Sequence, residues 1–346
     1  MAAQRLFHTL RHLKLRQLYG QCSRRFLPYR HRPERVPLAA PLAFPGLRRA
    51  PRQDILPPSC SRNSRSAILN GHFDFLNHSV SLGFPPSWNK ARSISKLWTY
   101  NLHYFEWLHL LPYPQARAVV EDWMPRTPAN RHAEAWEPYP TSLRTLTWIL
   151  YFFQAHFTET QRDSPFCHRL WQSLAQQLNY LGRNLETHLL GNHLLENVAT
   201  LTLAGTLFKG DLAHSWRLTG QDELIRQIKE QFLADGLHFE LSPMYHLRTL
   251  YLLYLIHTLG DSQLQSLTQK PLERGSLALR KLTHPDGEIA LFNDSALGIY
   301  HQPEVLLAAI ETGLRGFSRH SKPADLRSEN SLTGAWSLPK SGYYGF

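Results

Sequence analysis

The sequence predicts an all-α fold in which helices are joined by short loops. Apolar residues recur with the period of an α-helix along most of the chain after residue 97. Breakers lie between several of these segments, which favours helix pairs with short connections. They are Pro112 and Pro114, Pro138 and Pro140, Gly191, Gly220, Gly236, and Pro285 with Gly287. Only residues 288–292 read as a strand, and no internal repeat indicates a regular solenoid. The predicted helices cover residues 97–111, 141–157, 167–190, 194–209, 222–235, 246–259 and 261–282, with a shorter one near 303–314.

The first 60 residues differ in character from the rest of the chain. Residues 28–58 are rich in Pro and Arg and cannot sustain a helix, so we expect an extended linker or a segment wrapped over the main domain. Residues 1–60 are therefore assigned to a basic N-terminal arm, a helix followed by this linker. The predicted helix covers residues 5–26 and carries near one face Leu6, Leu10, Leu13 and Tyr19.

The positive charge of the protein is concentrated in this arm. The net charge is +11, and residues 1–60 contain twelve Lys or Arg against only Glu34 and Asp54, so ten of the eleven net charges lie there. A basic segment can contact nucleic acid, anionic lipid or an acidic polymer. The sequence has no zinc-finger spacing and no RNA-binding signature, so we expect no nucleic-acid partner. The simplest interpretation is an Arg-rich arm that packs across its own domain.

The cysteines and the hydrophobic segments limit the class of protein further. Cys22, Cys60 and Cys167 are odd in number and form no CxxC pair, so they predict neither a disulfide framework nor a zinc site. We expect no metal and no cofactor. The N-terminus lacks the apolar core of a secretory signal, and the longest apolar run, near 148–153, is too short to cross a membrane. On these grounds the sequence predicts a cytoplasmic location without a transmembrane segment.

Three polar clusters interrupt the apolar pattern at the ends of predicted helices. They cover residues 191–197, 238–246 and 284–295. Helix N-termini present unpaired N–H groups and the positive end of the helix dipole, so polar groups gathered there suit an anionic ligand. Helix capping by Asn192 and Ser242 is the plainer interpretation of any single cluster.

Five segments, in order, resemble the N-terminal domain of the heparinase II/III family of polysaccharide lyases. They are residues 97–106, 138–144, 184–193, 238–246 and 284–294. The resemblance implies an incomplete (α/α) toroid over residues 61–325, followed in the family by a β-sandwich. Residues 326–346 are expected to be a linker and the start of that sandwich, because residues 341–346 resemble its first strand. The chain is then either truncated or completed by a separate β-sandwich polypeptide.

The resemblance also implies a reaction, the β-elimination of a uronate-containing acidic polysaccharide. Such an enzyme must neutralise the uronate carboxylate, remove the C5 proton and protonate the leaving O4. By motif, Asn192 and His193 are expected to neutralise the carboxylate and Tyr245 to act as base, acid or both. A Tyr base needs a pKa lowered from its ordinary value, and the neighbouring His246 and Arg248 are the groups expected to lower it.

Seven further residues are predicted to hold the sugar or to orient these groups. Aromatic rings at the turns can stack on pyranose faces, although packing in the core is the more common role of any one ring. The polar members follow the matched segments. The seven predicted substrate-binding residues are Tyr104, Trp136, Arg144, His238, Glu240, His246 and Arg248.

Two other functions fit the same residues. A helical domain with a basic arm can bind anionic polysaccharide without turnover. Alternatively, a glycoside hydrolase could use paired carboxylates such as Glu240 and Asp294. Many members of the family work in the periplasm or cell envelope, which is the alternative to a cytoplasmic location.

Overall fold

The computed structural model describes residues 14–26, 43–59, 62–91, 93–128, 134–317 and 335–345. This part of the chain is mostly helical, which confirms the predicted all-α class. The helices in chain order are α1 (Leu15–Phe26), α2 (Arg65–Leu69), α3 (Trp88–Ala91), α4 (Lys96–Tyr104), α5 (Tyr113–Arg126), α6 (Pro138–Trp148), α7 (Phe157–Arg162), α8 (Ser164–Arg183), α9 (Gly191–Leu207), α10 (Asp211–Gln231), α11 (Pro243–Leu259), α12 (Ser262–Lys281) and α13 (Pro303–Phe317).

Shorter elements complete the described structure. Two 3₁₀ helices cover Glu106–Leu110 and Glu134–Trp136, and a π-helix, Ile149–Ala155, continues α6. The strands form two antiparallel hairpins, β1 (His72–Phe75) with β2 (His78–Ser81) and β3 (Trp336–Leu338) with β4 (Tyr343–Gly345).

Helices α9 and α11 form the centre of the array. Helix α9 contacts α6, α8, α10 and α11, while α11 packs against α12 and α13. Nearly every residue of both helices is buried, as expected of a helix that is apolar all round. The N-termini of these two central helices carry the first two polar clusters.

Several predicted boundaries were wrong, and prolines and glycines account for most of them. Pro112 and Pro114 were interpreted as breakers, but Pro112 is the N-cap of α5 and Pro114 lies in its first turn, where proline has no hydrogen bond to lose. Gly220 was also interpreted as a breaker, but it lies inside α10. A Cβ at this position would come within 2.7 Å of Thr202 Oγ1 and 2.8 Å of the Val198 carbonyl oxygen, both on α9. This glycine therefore permits close packing of α10 on α9.

Other differences concern strands and a chain reversal. The predicted helix 97–111 divides at Phe105, which has a left-handed φ of 61°. Residues 288–292 do not form a strand and contribute only an isolated bridge between Thr283 and Ile289. The hairpin of β1 and β2 was not predicted. At the C-terminus two strands pair, where the sequence predicted only the first strand of a sandwich.

The described residues of the N-terminal arm contact the helical array. The Phe44 ring lies 5.0 Å from that of Phe153, and Arg48 Nε donates to the Phe208 carbonyl oxygen at 2.7 Å. Tyr19, which was predicted near the apolar face of the N-terminal helix, is exposed. Leu6, Leu10 and Leu13, like Cys60, lie outside the described residues. In the part of the chain that is described, no helix is long and apolar enough to cross a membrane.

Candidate active site

The structure brings the three polar clusters together at one end of α9 and α11. The Leu241 carbonyl oxygen accepts hydrogen bonds from Asn293 Nδ2 at 2.5 Å and from Tyr343 Oη at 2.7 Å. Ser242 Oγ and Ser295 Oγ are 2.9 Å apart. Leu241 and Ser242 belong to the second cluster, and Asn293 and Ser295 belong to the third. Glu240 of the second cluster also bonds Asn192 of the first. These contacts define the candidate site.

Left-handed backbone conformations are concentrated at the same junctions. Leu190, Leu241 and Asn293 have φ values of 63°, 56° and 51°, and Gly191 has 58°. Non-glycine residues adopt this region at an energetic cost, and such residues are often found at functional sites. Glycine at 191 also leaves room for Glu240, because a Cβ there would lie 2.5 Å from Oε1 and would displace that carboxylate.

Glu240 holds Asn192 at the start of α9. Glu240 Oε1 accepts from the Asn192 backbone N–H at 2.9 Å, and Oε2 accepts from Asn192 Nδ2 at 3.0 Å. Asn192 is buried, so these two bonds fix the direction of its amide. An amide nitrogen has two N–H groups, and the second remains available to a ligand.

His193 is held between a carboxylate and an aromatic ring. Its Nδ1 lies 3.2 Å from Glu186 Oε1, and its ring stacks on Tyr139 with centroids 4.1 Å apart. Glu186 is itself buried and also accepts from Asn197 Nδ2 at 3.2 Å. Since Nδ1–H donates to a carboxylate, Nε2 is the nitrogen of His193 that a ligand can use. Glu186 lies within the matched segment 184–193 but was not predicted as a site residue.

Tyr245 lies in the first turn of α11, and its surroundings contradict one prediction. Ser242 caps the helix by accepting from the Tyr245 backbone N–H at 3.3 Å. Burial raises the pKa of Tyr245, and the carboxylates of Glu240 and Asp294 raise it further. The expectation that His246 and Arg248 lower this pKa was wrong, because both are engaged elsewhere. Tyr245 is therefore a neutral phenol, the form that donates a proton.

Arg248 forms a buried ion pair network in place of the predicted sugar contact. Its Nε donates to Glu196 Oε1 at 2.6 Å and its Nη1 donates to Glu106 Oε1 at 2.7 Å. Burial opposes the charge, but the Glu196 and Glu106 carboxylates hold the pKa of Arg248 well above its ordinary value. Burial also raises the pKa of Glu106. Because its side chain is buried and bound to two carboxylates, Arg248 does not line the site. It holds Glu196 and Glu106 together in the interior.

His238 and His246 are also internal, contrary to the prediction that they contact substrate. His246 Nε2 lies 2.9 Å from the Gly275 carbonyl oxygen, and its Nδ1 accepts from the His238 backbone N–H at 3.2 Å. Burial lowers the pKa of His246 to about 4, and burial with the neighbouring His246 lowers that of His238 to about 3. Both are neutral, fully buried side chains that fix the loop before α11.

A ladder of buried amides connects this loop to the start of α9. His238 Nε2 lies 2.8 Å from Gln231 Oε1, and Gln231 Nε2 donates to the Gly191 carbonyl oxygen at 2.8 Å. Gln231 also bonds to Gln227, which donates to Glu223 at 2.9 Å. The ladder positions the backbone immediately before Asn192.

Arg144 and Trp136 belong to the core, so their predicted substrate contact was wrong. Arg144 is 0% exposed and donates to Gln177 Oε1 and the Ala135 carbonyl oxygen at 2.7 Å each. Burial lowers the pKa of Arg144 to about 9. Its guanidinium lies 4.3 Å from the centre of the Trp123 ring, on which buried Trp136 also stacks.

Tyrosines form the wall beside His193. The Tyr104 and Tyr139 rings are 5.8 Å apart, and Tyr100 lies 6.2 Å from Tyr104. Burial raises the pKa of both Tyr104 and Tyr139 well above the ordinary value, so they are neutral. Tyr104 is buried and lies between Tyr100 and Tyr139, and its predicted sugar contact stays a prediction. Tyr139 was considered only as one of the turn aromatics and was not predicted as a site residue, and Tyr300, which lies near Arg248, was not considered.

The chain is similar in sequence and in fold to known polysaccharide lyases. Residues 89–322 match the heparinase II/III N-terminus. A heparin-sulfate lyase of Pedobacter heparinus is 27% identical over 190 residues, which cover 50% of this chain and 28% of that protein. A heparin-sulfate lyase of Bacteroides thetaiotaomicron is 31% identical over 120 residues, covering 30% and 17%. The heparinase III crystal structure aligns with a TM-score of 0.57 and 21% identity, covering 70% of this chain and 40% of that one.

The fold is thus the helical domain seen in polysaccharide lyases. The chain belongs to the heparinase II/III family, because the match to the family's N-terminal domain covers more than half of its residues. It spans less than a third of the length of the two curated relatives that it matches.

Proposed function

We propose that the chain acts as a polysaccharide lyase on a uronate-containing acidic polymer. The observation that supports this most strongly is the joint position of Asn192, His193 and Tyr245. Asn192 and His193 open helix α9, Tyr245 opens helix α11, and Glu240 lies between them. The two named relatives are heparin-sulfate lyases, so a reaction on a uronate polymer also agrees with their activity.

The proposed reaction begins at the uronate carboxylate. The Asn192 amide donates to a carboxylate oxygen, with its direction fixed by Glu240. Withdrawing charge from the carboxylate makes the C5 proton acidic enough to remove. We propose that His193, whose Nδ1 is held by Glu186, accepts this proton through Nε2, a role beyond the carboxylate contact predicted for it from the motif.

Elimination then breaks the C4–O4 bond. The electron pair of the C5–H bond becomes the C4–C5 double bond, and O4 leaves with the pair of the broken bond. Tyr245 is a neutral phenol, so it fits the acid that protonates O4. To serve also as base, Tyr245 would need a lowered pKa, whereas burial and then the Glu240 and Asp294 carboxylates raise it.

The site favours recognition of carboxylate over sulfate. Sulfate groups are usually bound by exposed Arg or Lys. Arg144 and Arg248, the two arginines predicted for the site, are both buried. We therefore propose that the substrate class is defined by its uronate, with any sulfation of secondary importance.

An apolar patch near the site supports a second part of the proposal, a β-sandwich that packs there. Leu291, Phe292 and Leu297 are exposed, and Phe292 stacks on Tyr343 of β4 with centroids 4.9 Å apart. Such a patch is typical of a surface that is covered in an assembly. A β-sandwich polypeptide is the proposed cover.

Ultraviolet absorbance of the unsaturated uronate tests the proposed activity. Purified protein would be incubated with heparan sulfate, alginate and other uronate polymers, alone and with an added β-sandwich domain of a relative. We expect absorbance to rise with at least one polymer and to be lost with Asn192→Ala and Tyr245→Phe. Tyr344→Phe, at an exposed tyrosine of β4, is the matched control. A folded protein that binds these polymers without any rise would instead be a binding protein.

A further inference from the structure

Helix α1 presents an apolar stripe to the outside. Leu15, Tyr19, Cys22 and Phe26 follow one another at helical spacing, which places them on one face. Leu15, Tyr19 and Phe26 are 85%, 75% and 72% exposed, and Cys22 is exposed as well. Single exposed apolar residues are ordinary, but four aligned on one short helix mark an interaction surface.

The opposite face of α1 is attached to the helical array. Gly20 is buried, and a Cβ there would lie 3.0 Å from His188 Cβ. Arg24 donates to the Asn184 carbonyl oxygen at 2.9 Å, and Gln17 donates to that of Leu189 at 3.3 Å. Arg16 forms a two-pronged ion pair with Glu223, at 2.7 and 3.0 Å. The apolar stripe therefore points away from the domain, because the other side of the helix holds α1 in place.

Basic residues flank the stripe, and acidic ones are missing from it. Helix α1 contains Arg16, Arg24 and Arg25 and no Asp or Glu, and Lys14 directly precedes it. In the sequence, residues 1–26 contain six Lys or Arg and no acidic residue. By helix geometry Lys14 and Arg25 lie on one side of the stripe and Arg16 on the other. An apolar line between basic flanks is the pattern of a helix that lies in a membrane interface.

We propose that α1 binds the surface of an anionic lipid bilayer. Its apolar stripe would enter the boundary between headgroups and acyl chains, while the exposed Arg25 contacts anionic headgroups. Lys14 forms an ion pair with Glu230 of α10, so in the bound state it adds positive charge near the surface and also holds α1 on the domain. Of the three anionic partners open to a basic segment, a bilayer is the one that can bury Leu15, Tyr19 and Phe26. A polysaccharide or a nucleic acid backbone would satisfy the charges and leave the stripe in water.

The bound orientation has a consequence for the candidate site. The loop that α1 covers, residues 184–190, leads directly into Asn192 and His193. Binding through the stripe would hold this loop about one helix diameter, roughly 10 Å, from the lipid surface. The protein would then meet its ligand at a membrane and not in bulk solution.

Vesicle co-sedimentation of the full chain tests the proposal. Vesicles of phosphatidylcholine alone would be compared with vesicles that contain phosphatidylglycerol, at low and high salt. We expect binding to the anionic vesicles that weakens with salt. The triple variant Leu15→Ser, Tyr19→Ser, Phe26→Ser should weaken that binding at least about tenfold, because the stripe supplies the apolar contact. Leu218→Ser, at a 67% exposed leucine of α10, is the matched control and should bind as the unmodified chain does.

Three results would overturn the proposal. One is no binding to anionic vesicles by a folded chain, as judged by circular dichroism. Another is equal binding by the triple variant. The third is a change of oligomeric state in the triple variant, by size-exclusion chromatography, without vesicle binding by the unmodified chain. That outcome would assign the stripe to a contact between proteins. None of these results depends on lyase activity.

Discussion

Both oxygens of the Glu240 carboxylate accept hydrogen bonds from Asn192, one from its backbone N–H at 2.9 Å and one from its side chain at 3.0 Å. A single side chain thus fixes the helix terminus and the amide proposed to meet the substrate. Burial is the larger cause of the raised pKa of Tyr245, and the Glu240 carboxylate raises that pKa further. Glu240 therefore influences two of the three groups proposed to act on the uronate, Asn192 and Tyr245, without itself being required to react.

Replacing Glu240 with Gln should change the pH dependence of turnover. The Glu240 charge raises the pKa of Tyr245, so its removal lowers that pKa. If Tyr245 donates its proton to O4, activity is present below the Tyr245 pKa and is lost as pH rises through it. The alkaline limb of the rate profile should then move to lower pH in Glu240→Gln. A profile that only falls in height, with its alkaline limb unmoved, would show that Glu240 acts on position alone.

Replacing Glu186 with Gln should reduce turnover and leave the fold intact. The Glu186 carboxylate accepts from His193 Nδ1, which leaves Nε2 to meet the substrate. A Gln amide can present its N–H to His193 and favour the opposite tautomer, so we expect kcat to fall at least about tenfold. Kinetics on the active polymer would measure this, with Glu159→Gln as control because Glu159 bonds His156 away from the site. Unchanged kcat would remove His193 from the proposed chemistry.

Replacing Arg248 with Met should destabilise the protein strongly. The substitution leaves the buried carboxylates Glu196 and Glu106 without their cation. Breaking a buried pair from one side typically costs about 3–5 kcal/mol of unfolding free energy. Chemical denaturation would measure the loss, and Glu196→Gln in the same chain should recover part of it. Arg126→Ala breaks the exposed pair with Asp122 and should cost less than about 1 kcal/mol. Equal losses in the two variants would contradict the buried network.

Stability should fall as the solution is acidified below the ordinary pKa of histidine. Burial lowers the pKa of His238 to about 3 and that of His246 to about 4. The unfolded chain takes up these protons from about pH 6.5 downward, whereas the folded chain does not. The stability these residues contribute is thus present above about pH 6.5 and declines toward pH 4, by up to about 1.4 kcal/mol per pH unit for each histidine.

Urea unfolding at several pH values from 7 to 4 would measure this decline. His246→Asn should flatten the slope, because the group that takes up a proton only on unfolding is gone. His168→Gln, at an exposed histidine of α8, should keep it. An unchanged slope in His246→Asn would mean that His246 is protonated in the folded chain.

The sequence predicted helices well wherever apolar spacing and end signals coincided. Helix α12 is one example, since Asp261 caps it by accepting from the Leu264 N–H at 3.1 Å. Helix α5 was missed because prolines at its first turn look like breakers. Gly220 was misread for a related reason, because its role depends on Thr202 and Val198 of another helix. Local rules identify a proline or glycine but not the neighbour that makes it necessary.

The site was predictable in location and less so in detail. The polar clusters were expected at one end of the array because they lie at predicted helix starts, and the resemblance to the family then selected Asn192 and Tyr245 within them. Burial was not predictable, so Arg248 and His246 were expected at the surface although one binds two carboxylates and the other a backbone carbonyl group. Glu186 and Glu106 lie inside matched segments, but only the folded chain shows which cations and rings they face.

The oxygen chemistry of the reaction products tests the central proposal most directly. The active polymer would be digested in water enriched in heavy oxygen, and the new chain ends would be analysed by mass spectrometry. Elimination predicts an unsaturated uronate at the new non-reducing end and, in samples taken before the new reducing end exchanges its oxygen with water, no heavy oxygen at the break. Tyr245→Phe should form no unsaturated uronate. Saturated ends that carry heavy oxygen would contradict the proposal and indicate a glycoside hydrolase.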